Sequence, residues 1–418
     1  MTEHTDLLII GAGPAGMAAA LAAAASGARI VLLDDNPLPG GQIWRDGPQA
    51  ALPRQAREQR EALLRMSTIH LYNSTRVIAC AGAKQLLVEN DERGWTLTYD
   101  RLILCTGARE LLLPFPGWTL PGVTGAGGLQ ALIKGGMPVA GERVVIAGSG
   151  PLLLASAATA RHNGAQIVRI AEQAALGAVA GFAAHLPRWP HKWLQSFSLF
   201  DARYRTATQV VAALGHERLE GVRLQHQGKT VELACDRLAC GFGLIPNTQL
   251  GQALGYALDG QALAVDAWQR STRDDHYAAG ECTGFGGSEL ALVEGAIAGH
   301  AAVGARQAAQ ALWPRRARWQ GFARTLNRAF ALNPTLKQLP RADTLVCRCE
   351  DVAYADLVGH RDWREAKLAT RCGMGACQGR VCGGAVAHLF GWQTPAPRPP
   401  FSPARIDTLL CLDETPPA

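Results

Sequence analysis

The first thirty-five residues constrain this chain more than any other stretch. Asp6-Leu-Leu-Ile-Ile runs into Gly11-Ala-Gly13-Pro14-Ala15-Gly16, continues through an alanine-rich segment from Met17 to Ser26, and returns as Arg29-Ile-Val-Leu-Leu-Asp34. The first apolar run is too short for a buried helix and ends on glycine, and the second closes on an acid. The pattern therefore predicts strand, tight turn, helix and strand. Gly11 permits the turn, Gly13 lets a pyrophosphate lie against the backbone, and Gly16 lets helix and strand pack closely. The helix N-terminus adds free N–H groups and partial positive charge. Asp34, eighteen residues after Gly16 and followed by Asp35, is placed to accept hydrogen bonds from an adenosine ribose. A Gly-x-Gly-x-x-Gly alone is a common loop; here each flanking element is in order, and a dinucleotide-binding unit is the reading.

A chain of 418 residues predicts two or three domains, each able to bury a core. With 48% hydrophobic residues, 18% charged residues and 46 glycines, the composition is that of a globular α/β protein and excludes the disordered and fibrous classes. The most apolar stretch, Gly16 to Leu33, contains Ser26, Gly27 and Arg29, so no transmembrane segment is expected. The start, Met-Thr-Glu-His-Thr-Asp, lacks the basic and long apolar regions of a secretory signal, which points to a cytoplasmic location. In that compartment eleven cysteines suggest metal ligation or buried thiols before disulfides.

A second unit of the same kind begins at Arg143-Val-Val-Ile-Ala-Gly148-Ser-Gly150-Pro-Leu-Leu153 and returns as Gln166-Ile-Val-Arg-Ile170, 137 residues after the first. The fold class expected is α/β, with two Rossmann-like domains, the second inserted into the first: residues 1–112, then 113–245 as the insertion, then 246–310. Leu153 replaces the third glycine, where its side chain should widen the helix-to-strand contact and crowd the nucleotide. Ala171 stands at the position equivalent to Asp34, with Glu172 next. A second nucleotide site at Gly148, Gly150 and Glu172 is therefore the weaker expectation. From Leu312 to Arg341 the chain carries seven basic residues and no acid, more than the net charge of +6. Trp319, Phe322, Leu326 and Phe330 recur at helical spacing, so residues 311–342 read as an amphipathic linker helix with a basic outer face, suited to an acidic partner rather than to nucleic acid.

The other strong signal is Val346-Cys347-Arg-Cys349-Glu350, followed by Arg371-Cys372-Gly-Met-Gly-Ala-Cys377-Gln-Gly-Arg-Val-Cys382. Five thiols within 36 residues are too dense for core packing, and Cys-x-Cys with a later Cys-x4-Cys supplies four thiolates. Zinc and a [2Fe-2S] cluster both accept that set. Cys372 with Cys377 and Cys377 with Cys382 are overlapping pairs. Cys80, Cys105, Cys235, Cys240, Cys282 and Cys411 are scattered in apolar strands and read as inert thiols. The two dinucleotide-type units contain no Cys-x-x-Cys pair, and no Ser/His/Asp order, His pair or paired carboxylates recommend a hydrolytic or metal site.

Taken together, Gly11-Ala-Gly-Pro-Ala-Gly16, Gly40-Gly41-Gln42-Ile, Gly148-Ser-Gly-Pro-Leu-Leu-Leu154, Cys347-Arg-Cys-Glu and Gly373-Met-Gly-Ala-Cys-Gln-Gly-Arg resemble the α-type subunits of heteromeric flavin dehydrogenases. That group includes the α-type subunits of opine oxidase, hydrogen cyanide synthase and D-hydroxyproline dehydrogenase. The resemblance implies a disulfide-reductase-like arrangement holding FAD, with Gly41 and Gln42 in a loop over the flavin and Thr106-Gly107 ending a strand against it. It also implies Gly280-Glu281 on the ribityl chain and the helix from Gly287 pointing its N-terminus at the ring. Gly241-Phe-Gly-Leu-Ile-Pro246-Asn247-Thr248 would be the crossover out of the insertion. Residues 343–393 resemble a bacterioferritin-associated-ferredoxin-like [2Fe-2S] domain, which implies Cys347, Cys349, Cys377 and Cys382 as ligands, Cys372 as the alternative, and a Pro-rich tail over 394–418.

Substrate oxidation is then implied in a β subunit of the D-amino-acid-oxidase type, with a small ferredoxin-like γ subunit in some assemblies and a quinone, ferredoxin or dye as acceptor. Some members of the group carry FMN at a subunit interface, and some hold ATP or NAD in place of FAD. The expected function is thus an electron-transfer subunit of an amine dehydrogenase; the alternatives are a stand-alone NAD(P)H-dependent reductase and a non-catalytic nucleotide-binding scaffold.

Overall fold

Leu7, Leu8 and Ile9 are all buried, so the strand Thr2–Ile10 is a central one. In the computed structural model, which describes residues 2–412, it pairs in parallel with Ile30–Leu33 on one side and with Gly94–Leu104 on the other. Residues 413–418, the end of the expected tail, lie outside the described residues. Ile69–Tyr72 extends the parallel set at one edge, while Gln85–Glu89 and Arg76–Gly82 continue it antiparallel at the other. Gly94–Leu104 is long enough to take two further partners on its other edge: its first half pairs with Gln85–Glu89, and Leu102–Leu104 pairs in parallel with His276–Ala278. The chain therefore returns to the first sheet after residue 246.

Two helices cover one face. Pro14–Ala24 and Gly287–Ala302 cross so closely that a Cβ on Gly295 would meet the Ala15 carbonyl, and one on Gly299 the Ala19 carbonyl. The alanine-rich run is thus a packing surface as well as a helix former.

The intervening chain builds a second parallel sheet in the order Tyr204–Arg205, Gln166–Glu172, Arg143–Gly148, Arg237–Gly241, Val123–Gly125. A three-stranded antiparallel sheet, Thr208–Gly215, Leu219–His226 and Lys229–Ala234, stands beside it. Ala108–Glu110 pairs antiparallel with Leu244–Pro246, so the chain leaves and re-enters the first unit through adjacent strands. Helix Trp313–Ala329 follows, with Phe322, Trp319, Leu326 and Phe330 packed on Phe182, Leu186 and Trp189. The last described unit, a hairpin at Leu345–Cys347 and Val352–Ala353 with helices Trp363–Thr370 and Cys382–Phe390, has its own small core around Val346, Leu357, Trp363 and Val386. No helix among the described residues is long and apolar enough to cross a membrane.

Candidate functional site

The parallel strands of the first sheet end at one edge, and the expected residues meet there. Gly11 has φ +102°, and a Cβ on it would meet the Cys105 carbonyl. A Cβ on Gly41 would approach the Gly13 Cα at 3.1 Å, so the loop from Pro37 to Trp44 lies directly on the glycine turn, held by Gly40 N–H donating to the Ala12 carbonyl at 2.8 Å. Gly280, with φ +80°, faces Ala15. Thr106 and Gly107 are tied to Asn247: Thr106 Oγ1 donates to the Asn247 carbonyl at 2.6 Å, and Asn247 Nδ2 donates back to the Thr106 carbonyl at 2.9 Å. Helix Pro14–Ala24 has no side-chain cap at its N-terminus, which leaves its first N–H groups for an anion, and helix Gly287–Ala302 is likewise uncapped. Glu281 is half-buried, burial raises its pKa, and its carboxylate has no hydrogen-bond or ion-pair partner among the described residues. Bare backbone, free helix N–H groups and an unpartnered carboxylate fit a dinucleotide. Gln42 is exposed and engaged by Arg45.

Asp34 is engaged by the chain itself. It is 5% exposed, and the chain's own groups occupy both oxygens: Oδ2 accepts from Ala12 N–H at 2.6 Å, and Oδ1 from Asn36 N–H at 2.8 Å and Asn36 Nδ2 at 2.7 Å. It braces the glycine turn; Asp35 beside it is exposed as a residue, its Oδ1 accepts from Asn36 Nδ2 at 3.1 Å, and desolvation with the neighbouring Asp34 charge raises its pKa. Glu172 repeats the device in the second unit: Oε2 accepts from Gly150 N–H at 2.7 Å and Oε1 from Ala174 N–H at 2.8 Å. Leu153 is fully buried between its helix and the strand Arg237–Gly241, its Cδ2 3.1 Å from where a Cβ on Gly241 would lie.

What stands over the second glycine turn is the linker. Ser149 Oγ donates to the Phe330 carbonyl at 2.8 Å, and Phe330 Cβ lies where a side chain on Gly150 would point, 3.8 Å away. Gln173 closes the seam, its Nε2 donating to Ser149 Oγ and the Ala331 carbonyl and its Oε1 accepting from Asn333 N–H at 2.9 Å. The segment Phe330–Asn333 thus covers the backbone along which a pyrophosphate would approach Gly148 and Gly150. A cleft of about 630 Å³ opens beside it, lined by Gln173, Gln209, Val211, Asn333, Leu339 and Arg341.

The thiols of the last unit are contiguous. Cys347, Cys372 and Cys382 are buried with their sulfurs within 4.8 Å of one another, and Cys349 and Cys377 are free thiols hydrogen-bonded to each other next to them. Burial opposes the Cys377 thiolate, but N–H donors from Val381, Gly379 and Arg380, with the Cys349 thiol, hold its pKa below the ordinary value. Gly373 N–H donates to Cys347 Sγ at 3.5 Å. An all-sulfur donor set with N–H groups aimed at it fits a soft metal centre. Cys372 is inside this set rather than apart from it.

This unit is fastened to the first site. Arg109 Nε donates to the Arg380 carbonyl at 3.0 Å, and its Nη1 to Asn247 Oδ1 at 3.0 Å, so one side chain spans from the Thr106-Gly107-Asn247 knot to the cysteine loop. Sequence patterns gave no signal for Arg109 beyond its place two residues after Gly107. Glu294 was also missed: it is 6% exposed on helix Gly287–Ala302 and accepts from Gly280 N–H at 3.1 Å and Thr283 Oγ1 at 3.3 Å. Burial pushes its pKa up to about 7. An acid inside Glu289-Leu-Ala-Leu-Val-Glu294-Gly-Ala-Ile was the available signal.

Residues 5–308 match the family model described as pyridine nucleotide-disulphide oxidoreductase. The chain belongs to that family. It is an oxidoreductase, and this member is 33% identical to the HcnB subunit of hydrogen cyanide synthase from Pseudomonas protegens, over 90% of each chain. It is 31% identical to the A subunit of opine oxidase from Rhizobium meliloti, over 99% of this chain and 89% of that one. Its fold is that of L-proline dehydrogenase from P. horikoshii, with TM-score 0.68 at 19% identity, covering 98% of this chain and 80% of the other. The T. acidophilum thioredoxin reductase structure shares the disulfide-reductase arrangement, with TM-score 0.56 at 20% identity over 72% of this chain and 98% of that one.

Proposed function

We propose that this chain is the electron-transfer subunit of a heteromeric dehydrogenase whose partner subunit oxidises an amine substrate of the opine, D-amino-acid, hydroxyproline, proline or glycine type. FAD would be held by Gly11, Gly13, Gly16, Asp35, Gly41, Thr106, Gly107, Gly280 and Glu281. A [2Fe-2S] cluster would be held by Cys347, Cys349, Cys377 and Cys382, with Cys372 as the alternative. A bound flavin supplies two-electron acceptance and one-electron release, and the cluster one-electron acceptance. The chain's own part is to orient both groups: Glu294 fixes the Gly280 backbone, and Arg109 fixes the cysteine loop against Asn247.

The observation that carries this reading is the seating of Phe330–Asn333 over Gly148–Gly150. A linker seated on the glycine turn competes with a pyridine nucleotide for that backbone, which favours electrons supplied from elsewhere. The relatives named as subunits of hydrogen cyanide synthase and opine oxidase support a protein partner as that source. The deciding test is an anaerobic absorbance titration of the purified chain with NADH and NADPH. No change in the flavin and iron-sulfur bands is expected, with dithionite reducing both and iron and acid-labile sulfide present in the protein. Prompt bleaching by either nucleotide overturns the reading in favour of a stand-alone reductase.

A further inference from the structure

Helix Pro190–Leu199 has no fully buried residue. Trp193, Leu194, Phe197 and the following Phe200 are 41%, 65%, 64% and 72% exposed. Trp193, Phe197 and Phe200 recur four and three residues apart and so stand on one stripe, with the first two rings edge-to-face at 5.3 Å. A cluster of large apolar groups in water differs from singly scattered ones and marks an interaction surface. The helix itself is anchored. Lys192 Nζ lies 2.7 Å from Glu289, both less than one-fifth exposed, which fixes the helix to the first turn of Gly287–Ala302, next to the Gly280-Glu281 loop.

Beside it runs the basic helix. Trp189 Nε1 donates to the Arg318 carbonyl at 3.2 Å, Arg318 Nη2 donates to the Arg188 carbonyl at 3.2 Å, and the Trp189 ring meets Phe322 at 5.3 Å. Arg315, Arg318, Arg324 and Arg328 are exposed, and residues 312–341 contain no acid to offset them. The apolar stripe is bordered by uncompensated positive charge.

We propose that Trp193, Leu194, Phe197 and Phe200, with the arginines of helix Trp313–Ala329, are the docking surface for a flavin-bearing partner chain that presents an apolar pocket rimmed by Asp and Glu. The inference rests on the heteromeric reading above. Charge selects the occupant: an isologous contact with a second copy would set the arginine border against itself. The helix spends its one lysine inward on Glu289, so it lacks the basic flank along its own length that binding to a lipid surface requires. Docking here also sets the partner one ion pair from the helix that opens the nucleotide site.

The test uses the full chain, tagged and carrying a photoreactive benzoylphenylalanine at position 197, expressed in its native cells and irradiated before purification. A single cross-linked product is expected, whose second component is a flavin-containing polypeptide that also co-purifies one to one without irradiation. The same probe at Leu64, exposed on another helix, should give none. Phe197→Asp and the pair Arg324→Glu/Arg328→Glu should each keep the melting midpoint and lower the co-purified partner by about tenfold or more, as for central and border contacts of one interface. Four results overturn the proposal: cross-linking to another copy of this chain, cross-linking to none while a complex forms, undiminished partner in the variants, or sedimentation with phosphatidylglycerol vesicles that Phe197→Asp abolishes. If the unmodified chain co-purifies with no second polypeptide, the heteromeric reading falls and takes this one with it. A partner that binds elsewhere removes this inference alone.

Discussion

Neighbouring acids divide two jobs at the end of the strand Ile30–Leu33, and substitution separates them. Asp34 accepts three hydrogen bonds from the chain, so Asp34→Asn sets an amide donor against Ala12 N–H or Asn36. A loss of about 2 kcal/mol is expected in urea unfolding, the usual cost of a buried donor left without an acceptor. Asp35→Asn should leave stability within about 0.5 kcal/mol and instead lower retention of FAD through dialysis, since the residue is exposed and its carboxylate accepts only one side-chain bond, from the neighbouring Asn36. Equal destabilisation by both would show that the division is wrong. Glu294 makes a different prediction because its pKa rises from 4.5 to about 7 on burial. Arg316, Asp259 and Asp266 face it across a polar cavity of about 330 Å³. The native state holds this proton more tightly than the unfolded chain, so stability is highest below the unfolded pKa and falls as pH climbs towards 7, by at most about 3 kcal/mol. Glu294→Gln should remove that fall, so that melting curves at about pH 5 and about pH 8 differ less in the variant than in the wild type. An unchanged difference would count against Glu294 as its source.

At the scale of elements, the crossing of Pro14–Ala24 and Gly287–Ala302 is set by glycine. Gly299→Ala puts a methyl group against the Ala19 carbonyl and should cost about 1–3 kcal/mol in chemical denaturation, with the helices forced apart and flavin lost in parallel. A variant as stable as the wild type would mean that the helices slide freely. The two βαβ units were legible because their signals are local: a short apolar run, a glycine turn, a helix and a return fall within thirty-five residues. The amphipathic pattern of Trp319, Phe322, Leu326 and Phe330 was legible for the same reason. What the linker covers was not, because Ser149 and Phe330 are 181 residues apart and nothing in either segment names the other. Leu153 shows the same limit from the other side. Its presence at a glycine position was plain, but which way the helix turns it depends on the packing against Gly241. The thiol motif was legible as a set. Its members fall into a group of three and a pair only through the folding of the Arg371–Cys382 loop.

At the scale of the whole molecule, three folded units meet where Ala108–Glu110 and Leu244–Pro246 pair, and the cysteine unit is seated on that joint. Helix Cys382–Phe390 packs there so closely that a Cβ on Gly384 would meet Ile245, and Trp118 Nε1 donates to the Leu345 carbonyl at 2.6 Å. The apolar contact supplies adhesion, whereas Arg109 supplies register: it bonds Asn247 on one side and the Arg380 carbonyl on the other, and burial lowers its pKa without depriving it of charge at neutral pH. Removing the guanidinium leaves the apolar seat in place and frees the loop between Cys377 and Cys382 from the Thr106-Gly107 edge. Arg109→Ala should therefore lose about 1–3 kcal/mol for a charged donor with three partners and become more sensitive to limited proteolysis around residues 377–382, and under the proposed function it should still retain metal and flavin. Under the proposed function, reoxidation of the dithionite-reduced protein by an artificial acceptor should show slower exchange between the flavin and iron-sulfur bands, with both midpoint potentials unchanged. Arg109→Lys should not restore it, because an ammonium group cannot span both partners in one plane. If exchange is as fast in Arg109→Ala as in the wild type, the register of the cysteine loop is set by the Gly384–Ile245 packing alone, and the arginine is a surface tie.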